Sequence, residues 1–521
     1  MKAPVLLRSV TLGAGLLAGG LVTGTTPGHA QVPCLDSAAT PGPCFVAPGV
    51  SIGGFVQTIG NGFSVTNSGS VGTFLQTIGA NSPVTNSGSV GTFLQTFGAN
   101  SGVTNSGSVG SGAAGDGIFI FGLNPTLTLL PGSVIQGQIN LSGAGTRTLK
   151  VGNGLSIANT FITPPNVINA YGAPFAVSGN QVAVVDPTTL STQGEQLADL
   201  TGGISSTLFS RLNGLRNGVS GVTTNTRPMY VAGAKDGFAP ASSGREYWVQ
   251  GFGSYRDQDG DGPSLDSDLY VAGLVSGVDA QASASTRVGF FLGGSWGEVE
   301  NIFNTQQTET DSFFGGVYAS RLNGRTAIDA ALTLGWSDYE RERQVANNLA
   351  PGGLQTATAG YDGFLVSPEI SFTRPFWPMG KRIEKVVTLR YAGLFLDGFS
   401  ETGAADAFTV SDRDVHIGVA RAALALPVER TSDDGSHSRL TLTGGIEGRT
   451  QFGDDTLSGT LLAQNITFDP GSDDGAIAGF AGITGEHTTP GGLTAFMSIE
   501  GKVEDEDTHQ VSARGGIRVR F

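Results

Sequence analysis

The sequence predicts an all-β protein with three parts: an N-terminal parallel β-helix (solenoid), one α-helix, and a C-terminal 12-stranded antiparallel transmembrane β-barrel. Glycine accounts for 81 of 521 residues and only 14% of residues are charged, a composition typical of strands and turns. A 19-residue repeat in the first half has the period of a solenoid. Alternating apolar and polar segments in the second half predict a long series of strands.

The N-terminal 30 residues have the features of a secretory signal peptide. Lys2 and Arg8 precede an apolar stretch at residues 10–22, and small residues at the end of the segment, including Ala30, suit cleavage. No later segment approaches the ~18 continuous apolar residues that a membrane-spanning helix needs. The mature chain is therefore expected either to be soluble or to cross a membrane as strands.

Two cysteines, Cys34 and Cys44, follow the predicted signal peptide directly. In an oxidising compartment they can close a small loop, so the sequence predicts a disulfide between them. The alternative is two free thiols in a flexible terminus.

Charge divides the chain into two halves. The net charge is −15, which argues against a nucleic-acid partner because little here would neutralise a phosphate backbone. We assign residues 31–190 to the solenoid, 191–244 to a linker with a helix at 197–216, and 245–521 to the barrel. The charged residues between 31 and 190 are few: Asp36, Asp116, Arg147, Lys150 and Asp186.

The internal repeat occupies residues 54–110, in three copies that are each 19 residues after the last. Each copy contains two short β-segments separated by Gly, Ala, Asn and Ser turns. One coil cannot bury its Phe, Ile and Val side chains alone, so stacked coils must share a core. Asn67, Asn86 and Asn105 keep the same spacing and are expected to form a hydrogen-bonded ladder. The alternative is a low-complexity linker.

Less regular segments follow the three copies, and they are expected either to continue the solenoid or to cap it. They are Leu127 to Leu130, Val134 to Leu141, Thr148 to Ile157 and Gln181 to Val185.

A single convincing helix lies between the two halves. Its apolar residues step by three or four positions, interrupted only by Gly202-Gly203, and they are Leu197, Leu200, Ile204, Leu208, Leu212 and Leu215. Nineteen residues at about 1.5 Å each give about 28 Å, close to the ~30 Å of membrane hydrocarbon. A 12-stranded barrel has room for one helix in its lumen. The alternative is an amphipathic helix packed against the periplasmic rim.

The last segment is the most informative part of the predicted barrel. Val511, Ile517 and Phe521 fall on one face with small apolar residues, and Arg514 falls on the other with Arg518 and Arg520. A membrane barrel accommodates this strand, because its apolar face then contacts lipid and its arginines face a water-filled interior. The aromatic residues of the predicted strands are expected to form girdles at the membrane interfaces. A soluble β-sandwich is the competing interpretation. The twelve predicted strands lie near residues 247–255, 270–278, 288–296, 313–319, 328–336, 364–372, 387–395, 415–419, 440–448, 476–484, 493–501 and 511–521.

Together, the signal peptide, the Gly/Ser/Asn-rich repeat, the helix and the barrel beginning Glu246-Tyr247-Trp248 resemble a classical monomeric autotransporter (type V secretion). Leu197 to Ser206 is similar to the stretch that precedes such barrels, and the strand closing on Phe521 is the most specific element. The resemblance implies that Ile517, Val519 and Phe521 form the barrel-assembly signal. It also implies outer-membrane lipid, the β-barrel assembly machinery and the secretion translocon as partners, with the solenoid as a passenger at the surface of a Gram-negative cell.

This sequence departs from the family pattern in two respects. A passenger of roughly 160 residues is short for the family, and the consecutive Asn-Asn of self-cleaving members is missing. Asn213-Gly214 and Asn217-Gly218 are prone to deamidation, but no placed acid or base supports self-cleavage.

The first loop of the barrel carries a calcium-like pattern. Asp257, Asp259, Asp261 and Asp268 reproduce the Asp-x-Asp-x-Asp-Gly spacing, in which alternating carboxylates converge on one hard cation. The pattern has Asp where the twelfth position usually has Glu, and it has no flanking helices. The alternative is a solvated acidic hairpin loop, and no other cofactor is expected.

An enzymatic passenger is not expected. The mature passenger has no histidine, which excludes a Ser-His-Asp triad or a His-ligated metal there. Gly110-x-Gly112-x-x-Gly115 matches a dinucleotide fingerprint only formally, because no helix follows it. We therefore expect surface display of an adhesin that binds a host or neighbouring-cell ligand. The alternatives are a pore plugged by the helix and, third, a passenger enzyme.

Overall fold

The computed structural model describes residues 32–40, 42–216, 246–471, 475–491, 493–505 and 508–519. The predicted signal peptide, most of the predicted linker after the helix, and Phe521 lie outside these residues. The described parts are a β-solenoid, a helix inside a barrel, and a closed barrel of twelve antiparallel strands. The predicted all-β fold class with a parallel β-helix and a barrel is therefore confirmed.

The first 22 strands belong to the solenoid and its C-terminal end, and most of them are two to five residues long. They are β1 Val32–Pro33, β2 Ala38–Thr40, β3 Cys44–Val46, β4 Ser51–Ile52, β5 Val56–Ile59, β6 Val65–Asn67, β7 Ser70–Val71, β8 Leu75–Ile78, β9 Val84–Asn86, β10 Ser89–Val90, β11 Phe93–Phe97, β12 Gly102–Asn105, β13 Ser108–Val109, β14 Gly117–Phe121, β15 Thr126–Leu129, β16 Val134–Ile135, β17 Gln138–Ser142, β18 Thr148–Val151, β19 Ser156–Thr163, β20 Val167–Asn169, β21 Phe175–Ser178 and β22 Gln181–Val184.

Each coil of the solenoid contributes strands to three parallel sheets. The first sheet runs β1-β3-β6-β9-β12-β15-β18-β20, the second runs β4-β7-β10-β13-β16, and the third runs β2-β5-β8-β11-β14-β17-β19. Residues exactly one repeat apart are register partners, as Val65 is with Val84. The 19-residue period therefore fixes the stacking register.

The repeat residues form the ladders that stabilise the stack. Asn67 donates to Asn86 at 2.7 Å, and Asn86 donates to Asn105 at 2.7 Å. All three side chains are buried, so the amides satisfy each other between coils and the predicted ladder is confirmed. On the outer side, the Phe74 ring stacks 4.6 Å from Phe55 and 4.9 Å from Phe93 between ring centroids.

The less regular segments after the three repeats partly continue the solenoid and partly cap it, which are the two outcomes that the sequence left open. Strands β15 to β18 continue the parallel stack. Strand β22 instead pairs antiparallel with β19 and β21, which ends the parallel register. The solenoid therefore ends in a short antiparallel unit directly before the helices.

Two helices follow, α1 Thr188–Ser191 and α2 Gln193–Arg216. Helix α2 has 24 residues, which at about 1.5 Å per residue gives about 36 Å. It begins four residues before the predicted Leu197 and runs through Gly202-Gly203 without a break. No helix in the described ranges is long and apolar enough to cross a membrane.

Twelve strands of 11 to 23 residues form the barrel, and each of the twelve predicted segments falls on one of them. They are β23 Glu246–Gln258, β24 Ser267–Ser283, β25 Thr286–Asn301, β26 Gln306–Asn323, β27 Thr326–Ala346, β28 Leu354–Phe376, β29 Ile383–Leu396, β32 Arg413–Thr431, β33 His437–Gly453, β36 Gly475–Thr488, β37 Thr494–Glu504 and β38 His509–Val519. β23 pairs with β38, from Tyr247 with Val519 to Asp257 with His509, and closes the barrel.

The barrel wall is apolar outside, and inside it carries polar and charged side chains together with apolar ones that pack on α2. Outward side chains such as Phe290, Phe313, Ile446 and Ile477 are 58–68% exposed, as expected for a lipid-facing surface. Trp248 differs from the predicted aromatic girdle. It is buried in the lumen, where its indole N–H donates to the Tyr318 hydroxyl at 2.8 Å.

The two ends of the barrel differ. At one end, turns of two to six residues connect the strands, and at the other end the longer loops carry the solenoid. Two of these longer loops hold a four-stranded sheet in the order β30-β31-β34-β35, formed by β30 Phe399–Ser400, β31 Thr409–Val410, β34 Leu457–Leu461 and β35 Gln464–Phe468. The solenoid and this sheet lie at the same mouth of the barrel.

Candidate functional site: the barrel lumen and its solenoid-bearing mouth

Helix α2 lies in the barrel lumen. Five of the six predicted apolar residues are buried against the barrel interior: Leu197, Leu200, Ile204, Leu208 and Leu212. Leu215 is in the helix, but its side chain lies outside the described residues. The lumen packing also accounts for Gly203, because a Cβ there would lie 2.3 Å from the Phe252 ring.

Near its N-terminus, α2 joins a buried ion-pair cluster. Glu195 pairs with Arg449 at 2.6 Å, and Asp199 pairs with Arg256 at 2.7 Å. Glu504 of β37 bridges the two arginines, 2.7 Å from Arg256 and 3.2 Å from Arg449. Because each arginine reaches both the helix and the wall, this cluster ties the two together.

A second cluster holds the C-terminal part of α2. Arg211 pairs with Glu246 at 2.6 Å and with Asp279 at 2.9 Å. Arg287 of the wall contacts the same two carboxylates. The side chains of Arg211 and Asp279 are 2% and 0% exposed, so the pairs are desolvated and depend on each other's charge.

Uncharged groups add further bonds along the helix. Gln193 donates to the Tyr361 hydroxyl at 2.7 Å, and Gln196 donates to the Thr310 hydroxyl at 2.9 Å. The Arg514 guanidinium of β38 donates to a helix carbonyl. The predicted closing strand therefore turns this arginine into the lumen, as its alternation requires.

The helix does not fill the lumen. A cavity of about 270 Å³ lies beside α2, and its lining includes the polar or charged side chains of Asp199, Ser205, Glu369, Arg390 and Arg421. This volume has room for several water molecules. The helix therefore leaves a cavity along one side of the lumen.

The hairpin between β27 and β28 reaches beyond the barrel and contacts the solenoid. Asn348 at its tip donates through Nδ2 to the carbonyls of Gly137 at 2.7 Å and Thr160 at 3.0 Å. Its Oδ1 accepts from the Thr160 N–H, and its carbonyl accepts from the Gly137 N–H. The pairing of β17 with β19 shifts register at Ile139, close to this contact. One residue of the barrel hairpin therefore bridges Gly137, which precedes β17, and strand β19.

Strand pairing reinforces this contact. Ser156 and Ile157 of β19 pair in parallel with Val345 and Ala346 of β27. The solenoid and the barrel therefore share one continuous hydrogen-bonded sheet at the mouth.

Buried charges organise the loops around this joint. Glu401 contacts Arg341 and Arg343, and Asp406 lies 2.9 Å from Arg343. Burial acts to raise the pKa of Glu401, but the two guanidiniums outweigh it and hold that pKa below its usual value. Burial raises the pKa of Asp406 despite Arg343. Burial likewise raises the pKa of Asp186, which lies between the solenoid and α1.

The calcium-like pattern does not become a ligand set. Asp257 and Asp268 are partners on paired strands β23 and β24, and Oδ1 of Asp268 accepts from the Tyr255 hydroxyl at 2.6 Å. Asp259 and Asp261 lie in the loop between these strands. Within the described ranges, no three His, Cys, Asp or Glu side chains are grouped so as to hold a metal ion. In a helix–loop–helix, alternating carboxylates converge on one cation. In the β-hairpin formed here, they are spread along two strands and the loop between them.

The remaining predicted site residues lie as follows. Cys34 and Cys44 form a disulfide in the first coil. Ile517 is 56% exposed on the outer wall, and Val519 is in β38 opposite Tyr247. Phe521 lies outside the described residues.

Asp116, the acid that stands alone in the passenger, has a structural role. Its carboxylate accepts from the backbone N–H of Ser111 at 2.6 Å and of Ala113 at 3.2 Å. Burial acts to raise its pKa, but these hydrogen bonds lower it below the usual value. The carboxylate therefore closes the loop of residues 110–116.

Sequence reasoning did not identify Asn348 or the ion-pair clusters. The signal for Asn348 was the 27-residue gap between the predicted strands 328–336 and 364–372, which is longer than a turn requires. No local sequence pattern indicated the partners of the lumen arginines, because these partners are distant in the chain. Arg256, for example, bonds to Asp199 at a separation of 57 residues.

Comparison with known proteins agrees with this geometry. The autotransporter β-domain family model matches residues 247–500. No curated protein sequence matches the chain.

Solved structures with a similar barrel include the translocator domain of the autotransporter NalP from Neisseria meningitidis, at 16% identity and a TM-score of 0.44, covering 62% of this chain and 98% of that one. The β-domain of the Bordetella autotransporter BrkA has 16% identity and a TM-score of 0.40, covering 53% and 99%. A mutant of the monoaromatic hydrocarbon channel TodX has 12% identity and a TM-score of 0.34, covering 54% and 91%.

These structural similarities are low, so the identification relies on the family match and on the closed twelve-strand barrel. Residues 247–500 are therefore an autotransporter β-domain, a translocation barrel of the outer membrane, and a β-solenoid and a lumen helix precede this domain in the chain.

Proposed function

We propose that this protein displays its own β-solenoid on the surface of a Gram-negative cell, and that the solenoid acts there in adhesion. The observation that carries the display step is the arrangement at the mouth. The solenoid is docked on the long-loop end of the barrel, and α2 connects it back through the lumen. This arrangement is the one expected if the passenger is exported through the barrel and its last segment is retained there. The secretion translocon and the β-barrel assembly machinery are the proposed partners in that route.

Adhesion is supported by the outer face of the third sheet. Three phenylalanines, Phe55, Phe74 and Phe93, stack in one column. A glutamine column runs beside them, in which Gln76 donates to Gln95 at 2.8 Å. The face is flat, repetitive and uncharged, and it suits many weak contacts with a surface ligand on a host or neighbouring cell.

No catalytic group supports an enzymatic passenger. The mature passenger has no histidine, and the Asp116 carboxylate is occupied by loop hydrogen bonds. We propose a non-enzymatic passenger without a cofactor.

Surface display can be tested on intact cells with an epitope tag inserted after Ala114, in the exposed part of the loop that Asp116 closes. We expect antibody and protease to reach the tag, and we expect deletion of Phe521 to abolish that access. A tag that is never accessible while the barrel is folded in the outer membrane would refute display.

Adhesion needs a separate test with matched charges. Gln76→Lys adds one positive charge to the aromatic face, and Ser87→Lys adds the same charge to another face of the same coils. We expect Gln76→Lys to reduce attachment of displaying cells several-fold and Ser87→Lys to leave it unchanged. Equal attachment by both variants would remove this face from the adhesive role.

A channel is the competing activity, and the cavity beside α2 is the observation that favours it. If the protein conducts in its native form, ion current through planar bilayers should be present with α2 in place. On our proposal the helix suppresses the current and deletion of α2 raises it.

A further inference from the structure

The end of the barrel opposite the solenoid carries a group of basic side chains on its outer surface. They lie on β26, β28 and β29, in the turn between β26 and β27 and in the turn between β28 and β29, and we call them the basic rim patch: Arg321, Arg325, Arg374, Lys381 and Lys385. All five are exposed. Their strands continue into the apolar outer wall through Val317, Phe372 and Val387, so the patch lies at the edge of the lipid-facing surface.

Like charges face each other within this patch. Arg374 of β28 and Lys385 of β29 are direct register partners. Like charges placed directly opposite each other destabilise a strand pair. An anion bound from outside would remove that repulsion.

The protein itself does not provide the anion. Glu384, the acidic residue adjacent to Lys385, is buried on the lumen side and contacts Arg382 and Arg439. Throughout the described part of the chain, no acidic side chain forms an ion pair with any member of the basic rim patch. The patch therefore presents uncompensated positive charge.

Apolar and aromatic groups accompany these charges. Lys385 Nζ lies 4.6 Å from the centroid of the Phe376 ring, and the Arg325 guanidinium lies 5.4 Å from that of Trp377. Met379, at the tip of the turn, is fully exposed. Such a combination is typical of side chains at the boundary between hydrocarbon and headgroups, where the ring stays in the apolar layer and the charge reaches outward.

We propose that the basic rim patch binds the phosphate headgroups of anionic phospholipids in the periplasmic leaflet of the outer membrane. The leaflet assignment rests on the orientation in the proposed function, because the solenoid end faces out and this end faces the periplasm. Arginine and lysine form charge-assisted hydrogen bonds with phosphate oxygens, while Met379 and Trp377 enter the leaflet. A bound headgroup would also screen the repulsion between Arg374 and Lys385.

The test uses the purified full chain in detergent micelles with either dioleoyl phosphatidylglycerol or dioleoyl phosphatidylcholine, and native mass spectrometry counts the retained lipids. The test variant is Arg325→Gln with Lys385→Gln. The control is Arg147→Gln with Lys150→Gln in the solenoid, which changes the net charge by the same two units. We expect the unmodified protein to retain phosphatidylglycerol in preference to phosphatidylcholine.

A basic residue near an anionic surface contributes about fivefold in affinity, so the rim variant should lose roughly 25-fold and the control should lose none. Equal retention of the two lipids, or an equal loss in both variants, would overturn the proposal. If the rim variant does not fold, as judged by heat-dependent migration in detergent gels, Lys381→Gln in the turn alone should still weaken phosphatidylglycerol binding about fivefold, and unchanged binding would overturn the proposal. These measurements need no export, so their failure is distinct from a failure of surface display.

Discussion

Replacing Arg211 with methionine should release the helix from the lumen. The side chain is 2% exposed and pairs with Glu246 and with Asp279, which is itself fully buried. Removing one partner of a buried pair costs about 3–5 kcal/mol, because the opposite charge stays desolvated. At 25 °C, about 3 kcal/mol corresponds to a factor of roughly 150 in an equilibrium. The ratio of open to closed lumen should therefore rise at least 100-fold.

Single-channel recording in planar bilayers measures this ratio directly, as the open probability. The matched control is Ser206→Ala, also on α2, because the exposed Ser206 hydroxyl bonds only to the Gly203 carbonyl of the same helix. Adding Asp279→Asn to Arg211→Met should recover part of the closure, since Arg287 then faces one carboxylate, Glu246, instead of two. If Arg211→Met opens no more often than Ser206→Ala while the barrel stays folded, the ion pair does not hold the helix and our reasoning is refuted.

Three further predictions concern the solenoid and the mouth. Asn348→Ala should make the displayed solenoid several-fold more sensitive to protease on intact cells. Asn347→Ala should have a smaller effect, because the Asn347 amide bonds within the hairpin. Equal sensitivity of the two variants would contradict the docking role of Asn348. Asn86→Ala removes the two buried ladder bonds to Asn67 and Asn105 and should cost about 2–4 kcal/mol, seen as earlier thermal loss of protease resistance. The exposed Ser87→Ala should cost under about 0.5 kcal/mol. The pKa of Glu401 is lowered in the folded protein, so its contribution to stability is complete above its unfolded value of about 4.3 and is lost as the pH falls through the folded pKa. Proteolysis of the mouth loops should rise in that acidic range, and Glu401→Gln should abolish this rise, since the raised pKa values of Asp406 and Asp186 make their contributions change in the opposite sense.

The barrel strands could be predicted because lipid and water impose a period of two on each strand. Where a strand leaves the membrane the pattern disappears. In β27 the residues Glu340, Arg341, Glu342 and Arg343 are charged on both faces, so the sequence predicts a strand ending near Trp336, although the structure extends it to Ala346. The extension is stabilised by Glu401, which is far away in the chain.

The solenoid was predictable for a similar reason, since its register partners are one repeat apart. Its docking was not predictable, because Asn348 contacts Gly137 and Thr160 across separations of 211 and 188 residues. The calcium-like spacing shows that a sequence pattern can be present although the fold does not bring its residues together. Asp257 and Asp268 have the right separation, but a β-hairpin places them on adjacent strands, so the same residues in another local structure do not converge.

The 19-residue period of the solenoid has a consequence for how the protein can vary in evolution. Recombination between two copies of the repeat adds or removes whole coils, and each copy brings its own Asn for the ladder and its own Phe for the outer stack. Such an event keeps every side chain on the same inner or outer face of its coil. It changes the height of the solenoid by about 4.8 Å per coil. The end that contacts the barrel, from Gly137 onward, is left untouched. The reach of the displayed domain can therefore change in discrete steps while its attachment stays constant.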